Sequence, residues 1–150
     1  MSSLNLFEHR SVIQAPVERV FAFHEAPDAL RQLTMPPTRI SIQADRRRSL
    51  TEGEIAFTLW LGPIPVRWLA EHAPGPNETS FTDRMLRGPV AHWEHQHIMG
   101  PHPEGTELLD RIRYAHKPGP RGLLTRLVFG RPALRVLFRY RHWRTRRAVM

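Results

Sequence analysis

Two histidines and two aspartates form the group of side chains in this sequence that is best suited to chemistry. His95 and His97 alternate along residues 90–99, so a β-strand there places both imidazoles on one face. Asp83 and Asp110 occupy corresponding positions on the predicted strands before and after it. Because a buried carboxylate is costly unless it is paired, we expect Asp83 or Asp110 to contact one of the histidines.

This group supports three interpretations, of which two need no metal. In the first, a histidine oriented by an aspartate moves a proton between a carbonyl group and its α carbon, as aldol cyclisation and dehydration require. The candidate catalytic residues are then His95, His97, Asp83 and Asp110. In the second, the paired side chains are structural: they satisfy one another's hydrogen bonds and fix the register of neighbouring strands.

The third interpretation is a metal site. His95 and His97 with a nearby aspartate would supply three of the ligands that metal ions commonly use. The His-x-His spacing alone is a weak signal, however, and no further histidine or glutamate obviously completes the set. We therefore predict no metal site and no cofactor.

Other reactive motifs are missing from the sequence. It contains no Gly-x-Ser-x-Gly motif, no phosphate-binding glycine loop and no dinucleotide fingerprint, which argues against hydrolases, kinases and dehydrogenases. The 150 residues include no cysteine, so disulfide and thiolate chemistry are excluded. No apolar run is long enough to span a bilayer and residues 1–5 do not resemble a signal peptide, so we expect a cytoplasmic protein.

The elements that must position these side chains are mostly strands. Proline at residue 16 is well placed to begin a helix through residue 24, and Pro27 begins a second, shorter helix. No linker or repeat divides the chain, so residues 1–150 are predicted to form one domain. Seven segments alternate apolar and polar residues as strands do: 6–14, 38–43, 54–61, 64–72, 79–86, 90–99 and 106–114.

The last stretch, residues 120–150, is predicted to be an amphipathic helix. Leu123, Leu127, Leu134 and Leu137 recur on one side of it at helical spacing. Pro132 conflicts with this pattern, because proline disfavours helical backbone at the residue before it. We expect a kink or break near residues 130–132, with Pro132 near the first turn of a second helical segment.

The charge of the chain is unevenly distributed. Its 22 basic and 14 acidic residues give a net charge of +8, and 12 of the basic residues lie from Arg111 onward, where no acidic residue occurs. Such a block can attract RNA or an anionic membrane, or it can simply be a solvated helix face whose stems cover apolar surface. The candidate contacts for an anionic partner are Arg126, Arg135, Arg139, Arg144, Arg146 and Arg147.

The order of one strand, two short helices, six strands and a long helix resembles the START-like, or polyketide cyclase/dehydrase-like, superfamily. The opening Ile13-Gln14-Ala15-Pro16-Val17-Glu18-Arg19-Val20-Phe21 is similar to the strand-to-helix opening of that superfamily. Further similarity to a bacterial subgroup lies in Trp68, Phe81-x-Asp83, Gly88-Pro89, Trp93-x-His95-x-His97, Gly105-Thr106-x-Leu108-x-Asp110-x-Ile112-x-Tyr114 and Phe138-x-Tyr140-Arg141. The resemblance implies an α+β helix-grip fold, in which a curved antiparallel sheet of about seven strands wraps around the C-terminal helix.

This resemblance also implies a cavity between the concave face of the sheet and the C-terminal helix. We expect the cavity to bind a small hydrophobic or amphipathic molecule, such as a lipid or a polyketide-like or isoprenoid-like compound. A cyclase-, aromatase- or dehydratase-type enzyme and an RNA- or membrane-binding module remain alternatives. The predicted ligand-binding residues are Trp68, Phe81, Asp83, Trp93, His95, His97, Asp110, Ile112, Tyr114, Leu127 and Leu134.

Overall fold

Seven antiparallel strands form one sheet in the order β1-β7-β6-β5-β4-β3-β2 in the computed structural model, which describes residues 4–150. The prediction that the chain does not open as a signal peptide falls mainly on residues 1–3, outside the described residues. The elements are β1 (Asn5–Ile13), α1 (Val17–Glu25), α2 (Ala29–Gln32), β2 (Arg39–Asp45), β3 (Gly53–Leu61), β4 (Ile64–Pro74), β5 (Ser80–Arg87), β6 (His92–His102), β7 (Gly105–Ala115), α3 (Pro120–Val128) and α4 (Arg131–Val149).

The predicted α+β helix-grip architecture is confirmed, including the seven strands and the two short helices after β1. Alternation of apolar and polar residues located the strands because one face of the sheet is turned toward the helices. The largest boundary difference is at β6, which extends to His102 because its pairing with β7 continues to the His102–Gly105 pair. Gly105 has a φ of 140°, a backbone conformation that side chains disfavour and that this hairpin turn needs.

The helix α4 covers the β1–β7 side of the sheet. It packs against β1 and α1, and Phe138 lies with its ring centroid 5.7 Å from that of Phe7. Leu134 and Phe138 share a buried cluster with Ile112 and Tyr114 of β7. This contact closes the sheet on its β1–β7 side.

The C-terminal helix is interrupted where the sequence predicted a break. α3 ends at Val128, α4 begins at Arg131, and Pro132 lies in the first turn of α4. A Cβ atom at Gly130 would stand 2.2 Å from the carbonyl oxygen of Arg126, so the chain passes itself closely at this point. The expected conflict between helical pattern and proline is therefore resolved by two separate helices.

This break overturns the prediction that Leu127 lies in the ligand cavity. Leu127 is 76% exposed and Leu123 is 65% exposed, whereas Leu134 is fully buried. Residues seven apart share a face only within one continuous helix, and the turn at Gly130 rotates α3 relative to α4. Within the described part of the chain, no helix is long and apolar enough to cross a membrane.

Candidate functional site

A cavity of about 450 Å³ lies between the concave face of the sheet, α2 and the junction of α3 with α4. Its size falls in the range of about 300–1,000 Å³ that small-molecule sites occupy. The sheet contributes the inward faces of β3 to β6, and the helices contribute residues on the opposite side. The cavity therefore lies where the helix-grip prediction placed it, and its walls can be divided into an apolar and a polar part.

Aromatic and aliphatic side chains make up most of the cavity wall. Trp68 is at the centre of this wall: its ring stacks on Phe57 at 6.0 Å and meets Trp93 edge-on at 5.5 Å. Phe129, from the junction between α3 and α4, approaches the same ring at 5.9 Å. The remaining apolar lining residues include Leu30, Leu33, Ile55, Leu59, Leu61, Val66, Ala70, Val128, Ala133, Val136 and Leu137.

The polar end of the cavity contains the predicted His–Asp group. Strand pairing places Asp83 opposite His95 and His97 opposite Asp110, so the three strands β5, β6 and β7 bring the four residues together. The imidazoles of His95 and His97 stack on each other with centroids 3.7 Å apart. Asp83 Oδ2 lies 3.4 Å from His97 Nε2 and 3.8 Å from His95 Nδ1. The expected contacts between these aspartates and histidines are thus present.

Asp110 is a buried hub that joins this group to α4. Its Oδ1 accepts a hydrogen bond from His95 Nε2 at 2.6 Å and lies 3.3 Å from His97 Nδ1. Its Oδ2 lies 2.5 Å from Nε2 of His142, whose Nδ1 contacts the Ser11 hydroxyl on β1, also at 2.5 Å. A single carboxylate therefore links β7, β6, α4 and β1, which fixes the orientation of the histidine rings.

Burial and hydrogen bonding set the charges of this group. Burial and the neighbouring His95 lower the pKa of His97 to about 3, so its imidazole is neutral at neutral pH. Burial alone would raise the pKa of Asp110, but hydrogen bonds from His142 and His95 outweigh that effect and hold it well below its usual range. The same balance, with His97 as hydrogen-bond donor, lowers the pKa of Asp83. Both carboxylates are accordingly ionised.

Six of the predicted ligand-binding residues line the cavity: Trp68, Phe81, Asp83, Trp93, His95 and His97. Asp110 lies behind the two histidines rather than in the wall. The prediction needs correction for Ile112, Tyr114 and Leu134, which are buried against one another where α4 covers β7. Alternation identified the inward face of β7 correctly, but that face meets a helix instead of the cavity.

Three residues of the site were not assigned a role from the sequence. His24 lines the cavity from α1 with its Nδ1 donating to the Val20 carbonyl, and burial lowers its pKa to about 4. His142 lies on the buried side of α4 four residues after Phe138, a spacing that could have revealed it. Arg141 appeared in the sequence analysis only within the Phe138-x-Tyr140-Arg141 motif, and its side chain reaches the cavity.

The predicted basic contacts differ in their surroundings. Arg126, Arg135 and Arg139 are exposed. Arg146 instead donates from Nε and Nη2 to the Val12 carbonyl, so this residue is engaged in joining α4 to β1. Arg147 lies over the ring of Trp143, with its Cζ 5.3 Å from the centroid. Arg147 is exposed as well, so exposed arginines lie on α3 and along both halves of α4.

Solved structures with the same fold include proteins of different kinds. A START superfamily protein from Mycobacterium smegmatis matches with a TM-score of 0.67 and 13% identity over 99% of this chain and 97% of the other. The Zhui aromatase/cyclase from Streptomyces sp. R1128 matches with a TM-score of 0.61 and 16% identity, covering 97% and 91% of the two chains.

A third match is to part of a larger protein. The nucleoside-diphosphate sugar epimerase from Corynebacterium glutamicum gives a TM-score of 0.69 and 25% identity over 94% of this chain but only 28% of the epimerase chain. No protein-family model and no curated protein sequence matches the chain. The structural matches show that the chain has a START-like fold, as the sequence resemblance implied.

Proposed function

We propose that this protein binds a small amphipathic molecule, with its apolar body against the aromatic wall and an oxygen-bearing end beside Arg141. A START-like fold agrees with a ligand-binding or cyclase-type role in general terms. The observation that carries the finer proposal is the division of one cavity into an apolar wall around Trp68 and a polar end at Asp83, His97 and Arg141. Apolar pockets with a few convergent polar groups are the usual form of small-molecule sites.

Arg141 supports an oxygen-bearing ligand because its charge lacks an acidic partner in the part of the chain that the structure describes. Among residues 4–150, its guanidinium group makes no hydrogen bond and has no carboxylate within 4.0 Å. Its Cζ lies 5.3 Å from the centroid of the Phe138 ring, on the side of α4 that faces the cavity. Burial lowers the pKa of Arg141, which reflects an incompletely hydrated cation. A carboxylate, phenolate or carbonyl oxygen of a ligand would supply the missing acceptor.

The cyclase-type alternative stays a prediction with less support from the geometry. A general base needs a ring nitrogen that faces the substrate. Every ring nitrogen of His95 and His97 instead lies within 4 Å of an oxygen of Asp83 or Asp110. Binding without turnover therefore fits the arrangement better than acid–base catalysis by these two histidines.

The first experiment is native mass spectrometry of the purified protein, followed by denaturing extraction of any bound molecule. Ligand titrations then compare dodecanoic acid with dodecanol, which differ only in the polar end. The signal is the intrinsic tryptophan fluorescence, to which Trp68 and Trp93 of the cavity wall contribute. Ala133→Phe narrows the cavity, and Ala148→Phe makes the same change on the exposed side of α4. Arg141→Met removes the positive charge at the cavity, and Arg135→Met is its control because it removes a positive charge at an exposed position of α4.

The proposal expects saturable binding that Ala133→Phe weakens and Ala148→Phe leaves unchanged. Arg141→Met is expected to weaken binding of the acid about tenfold or more, as loss of a charge-assisted hydrogen bond would, while binding of the alcohol changes little. The proposal would be refuted if no ligand bound saturably, or if the cavity variants and their controls changed the binding equally. If Arg141→Met weakened binding of the acid and the alcohol equally, Arg141 would not contact the polar end of the ligand, but binding in the cavity would still stand.

A second candidate function is docking on an anionic lipid bilayer through α3, and a specific surface favours it. Leu123, Leu124 and Leu127 are 65%, 60% and 76% exposed, and they lie on the same short helix as Arg121 and Arg126. Leucines partition into the boundary of a bilayer and arginines are attracted to anionic headgroups. The end of α3 leads directly into Val128 and Phe129 of the cavity wall, so this surface adjoins the cavity.

A further inference from the structure

The sequence predicted no metal site, but the structure brings three donor residues together, and we propose that Asp83, His95 and His97 bind one divalent transition-metal ion at the polar end of the cavity. Zn²⁺ is the best representative of such ions. Each of the three residues offers one donor atom, and these atoms all lie within 4.8 Å of one another. Two imidazoles and one carboxylate form a donor set that suits zinc and other first-row transition metals rather than Mg²⁺ or Ca²⁺. This inference does not depend on the identity or existence of an organic ligand.

The donor separations are close to those of a metal site. In a tetrahedral zinc site with bonds of about 2.0–2.2 Å, neighbouring donor atoms are about 3.4 Å apart. Asp83 Oδ2 lies 3.4 Å from His97 Nε2 and 3.8 Å from His95 Nδ1. The donor atoms of the two histidines lie within 4.8 Å of each other, so an ion could be enclosed after side-chain shifts of up to about 1 Å.

The surroundings of the two histidines match those of metal ligands. Their other ring nitrogens, His95 Nε2 and His97 Nδ1, face the same oxygen of Asp110 at 2.6 and 3.3 Å. Metal-bound histidines commonly donate this second N–H to a carboxylate, which selects the tautomer and orients the ring. Asp110 is itself held by His142, which contacts Ser11. The protein thus already provides the outer shell that such a site requires.

The contacts of the two imidazoles leave room for a cation beside Asp83. Each of their four ring nitrogens lies within 4 Å of an oxygen of Asp83 or Asp110. A ring nitrogen without a hydrogen is an acceptor, as a carboxylate oxygen is, so such a pair attracts a metal ion placed beside it. Metal binding would require the N–H of His97 to lie on Nδ1, toward Asp110, instead of on Nε2, toward Asp83.

The proposed site opens toward the cavity. Asp83 keeps 24% of its side chain exposed, and all three donor residues line the cavity wall. Three protein donors with an open fourth position are typical of zinc sites that bind water or a small ligand, whereas structural sites use four protein donors. The ion could therefore also hold an oxygen atom of a molecule in the cavity.

The test uses untagged, chelator-treated protein titrated with Co²⁺ and followed by its visible absorption, with Zn²⁺ added afterwards as competitor. The chain has nine histidines, and those at the surface could bind metal weakly, so a matched control is needed. His92→Asn changes a histidine on the same strand, β6, but on its opposite face. Asp83→Asn removes the carboxylate charge at a partly exposed position with almost no change of shape.

We expect one Co²⁺ per chain, displaced by Zn²⁺, in the wild type and in His92→Asn. Asp83→Asn is expected to lose this binding, and Asp110→Asn to weaken it about 10- to 100-fold, as outer-shell changes do. Near-ultraviolet circular dichroism establishes which variants are folded. If a variant does not fold, X-ray absorption spectroscopy of the zinc-loaded wild type identifies the ligands instead. Two imidazoles and at least one oxygen donor are expected to coordinate the zinc ion.

Three results would overturn the proposal. Folded wild-type protein that binds neither ion would mean that protons alone occupy the gap between Asp83 and the histidines. If His92→Asn lost as much Co²⁺ binding as Asp83→Asn, the ion would be bound at the surface. If folded Asp83→Asn bound Co²⁺ as well as the wild type, the ion would be bound by other residues. Ligand titrations of chelator-treated protein are scored separately, so failure of the metal site and failure of small-molecule binding are distinguishable.

Discussion

Replacing Asp110 with alanine removes the carboxylate that connects β6 and β7 to α4. In the native protein, this carboxylate accepts a hydrogen bond from His95 at 2.6 Å and contacts Nε2 of His142 at 2.5 Å. All three residues are buried, so water cannot replace the lost acceptor without opening the interior. The substitution therefore leaves two imidazoles without their partner.

The expected loss of stability follows from these two contacts. A hydrogen bond to a charged group contributes about 1.5–3 kcal/mol, and removing one partner of a buried ionic pair typically costs about 3–5 kcal/mol. We therefore predict that Asp110→Ala lowers the free energy of unfolding by about 3–5 kcal/mol. That is a large part of the total of about 5–15 kcal/mol that small proteins possess.

Urea unfolding of chelator-treated protein, followed by circular dichroism and tryptophan fluorescence, measures this difference. Glu107→Ala is the control, because Glu107 lies on the same strand and forms an exposed ion pair with Arg10. Exposed pairs contribute at most about 1 kcal/mol, so this variant is expected to remain close to the wild type. If Asp110→Ala loses no more stability than Glu107→Ala, the view of Asp110 as a buried hub is wrong.

Two further predictions concern the C-terminal helices. Gly130→Ala is expected to lower the free energy of unfolding by about 1–3 kcal/mol, since its Cβ would stand 2.2 Å from the Arg126 carbonyl oxygen. Pro132→Ala, in the first turn of α4, is expected to lower it much less in the same urea experiment. Equal losses of stability in the two variants would contradict this account. Leu127→Glu is expected to reduce sedimentation with phosphatidylserine vesicles while Leu6→Glu, at another exposed leucine, does not. Unchanged vesicle binding, or salt-sensitive binding to RNA instead, would refute membrane docking through α3.

Most of the fold could be predicted because it follows from short-range patterns. Alternation predicted a strand over residues 54–61, and Ile55, Phe57 and Leu59 on one face of that strand line the cavity. Pro132 predicted the break between α3 and α4, because its effect on the preceding residue is local. The fold and the resemblance are confirmed, whereas the function, the location and the partners stay predictions.

The site was only partly predictable, because its contacts join distant parts of the chain. Leu127 was predicted to line the cavity because one continuous helix through residue 130 would place it on the same face as Leu134. The helix is broken there, and Leu127 is exposed. Ile112 and Tyr114 do face inward, but α4 covers them. Their alternation is the same as that of cavity residues, so no pattern within β7 could have distinguished the two cases.

The sequence by itself determined the strands, the faces of their side chains, the helix break and the grouping of Asp83 with His95 and His97 across neighbouring strands. These features depend on backbone periods of two and 3.6 residues and on pairing between consecutive strands. Only the tertiary structure decided that His142, 32 residues after Asp110, completes its hydrogen bonds and that Ser11, 131 residues before His142, continues them. Such contacts depend on how α4 packs across β1, and this packing is settled by the burial of whole faces rather than by any local pattern.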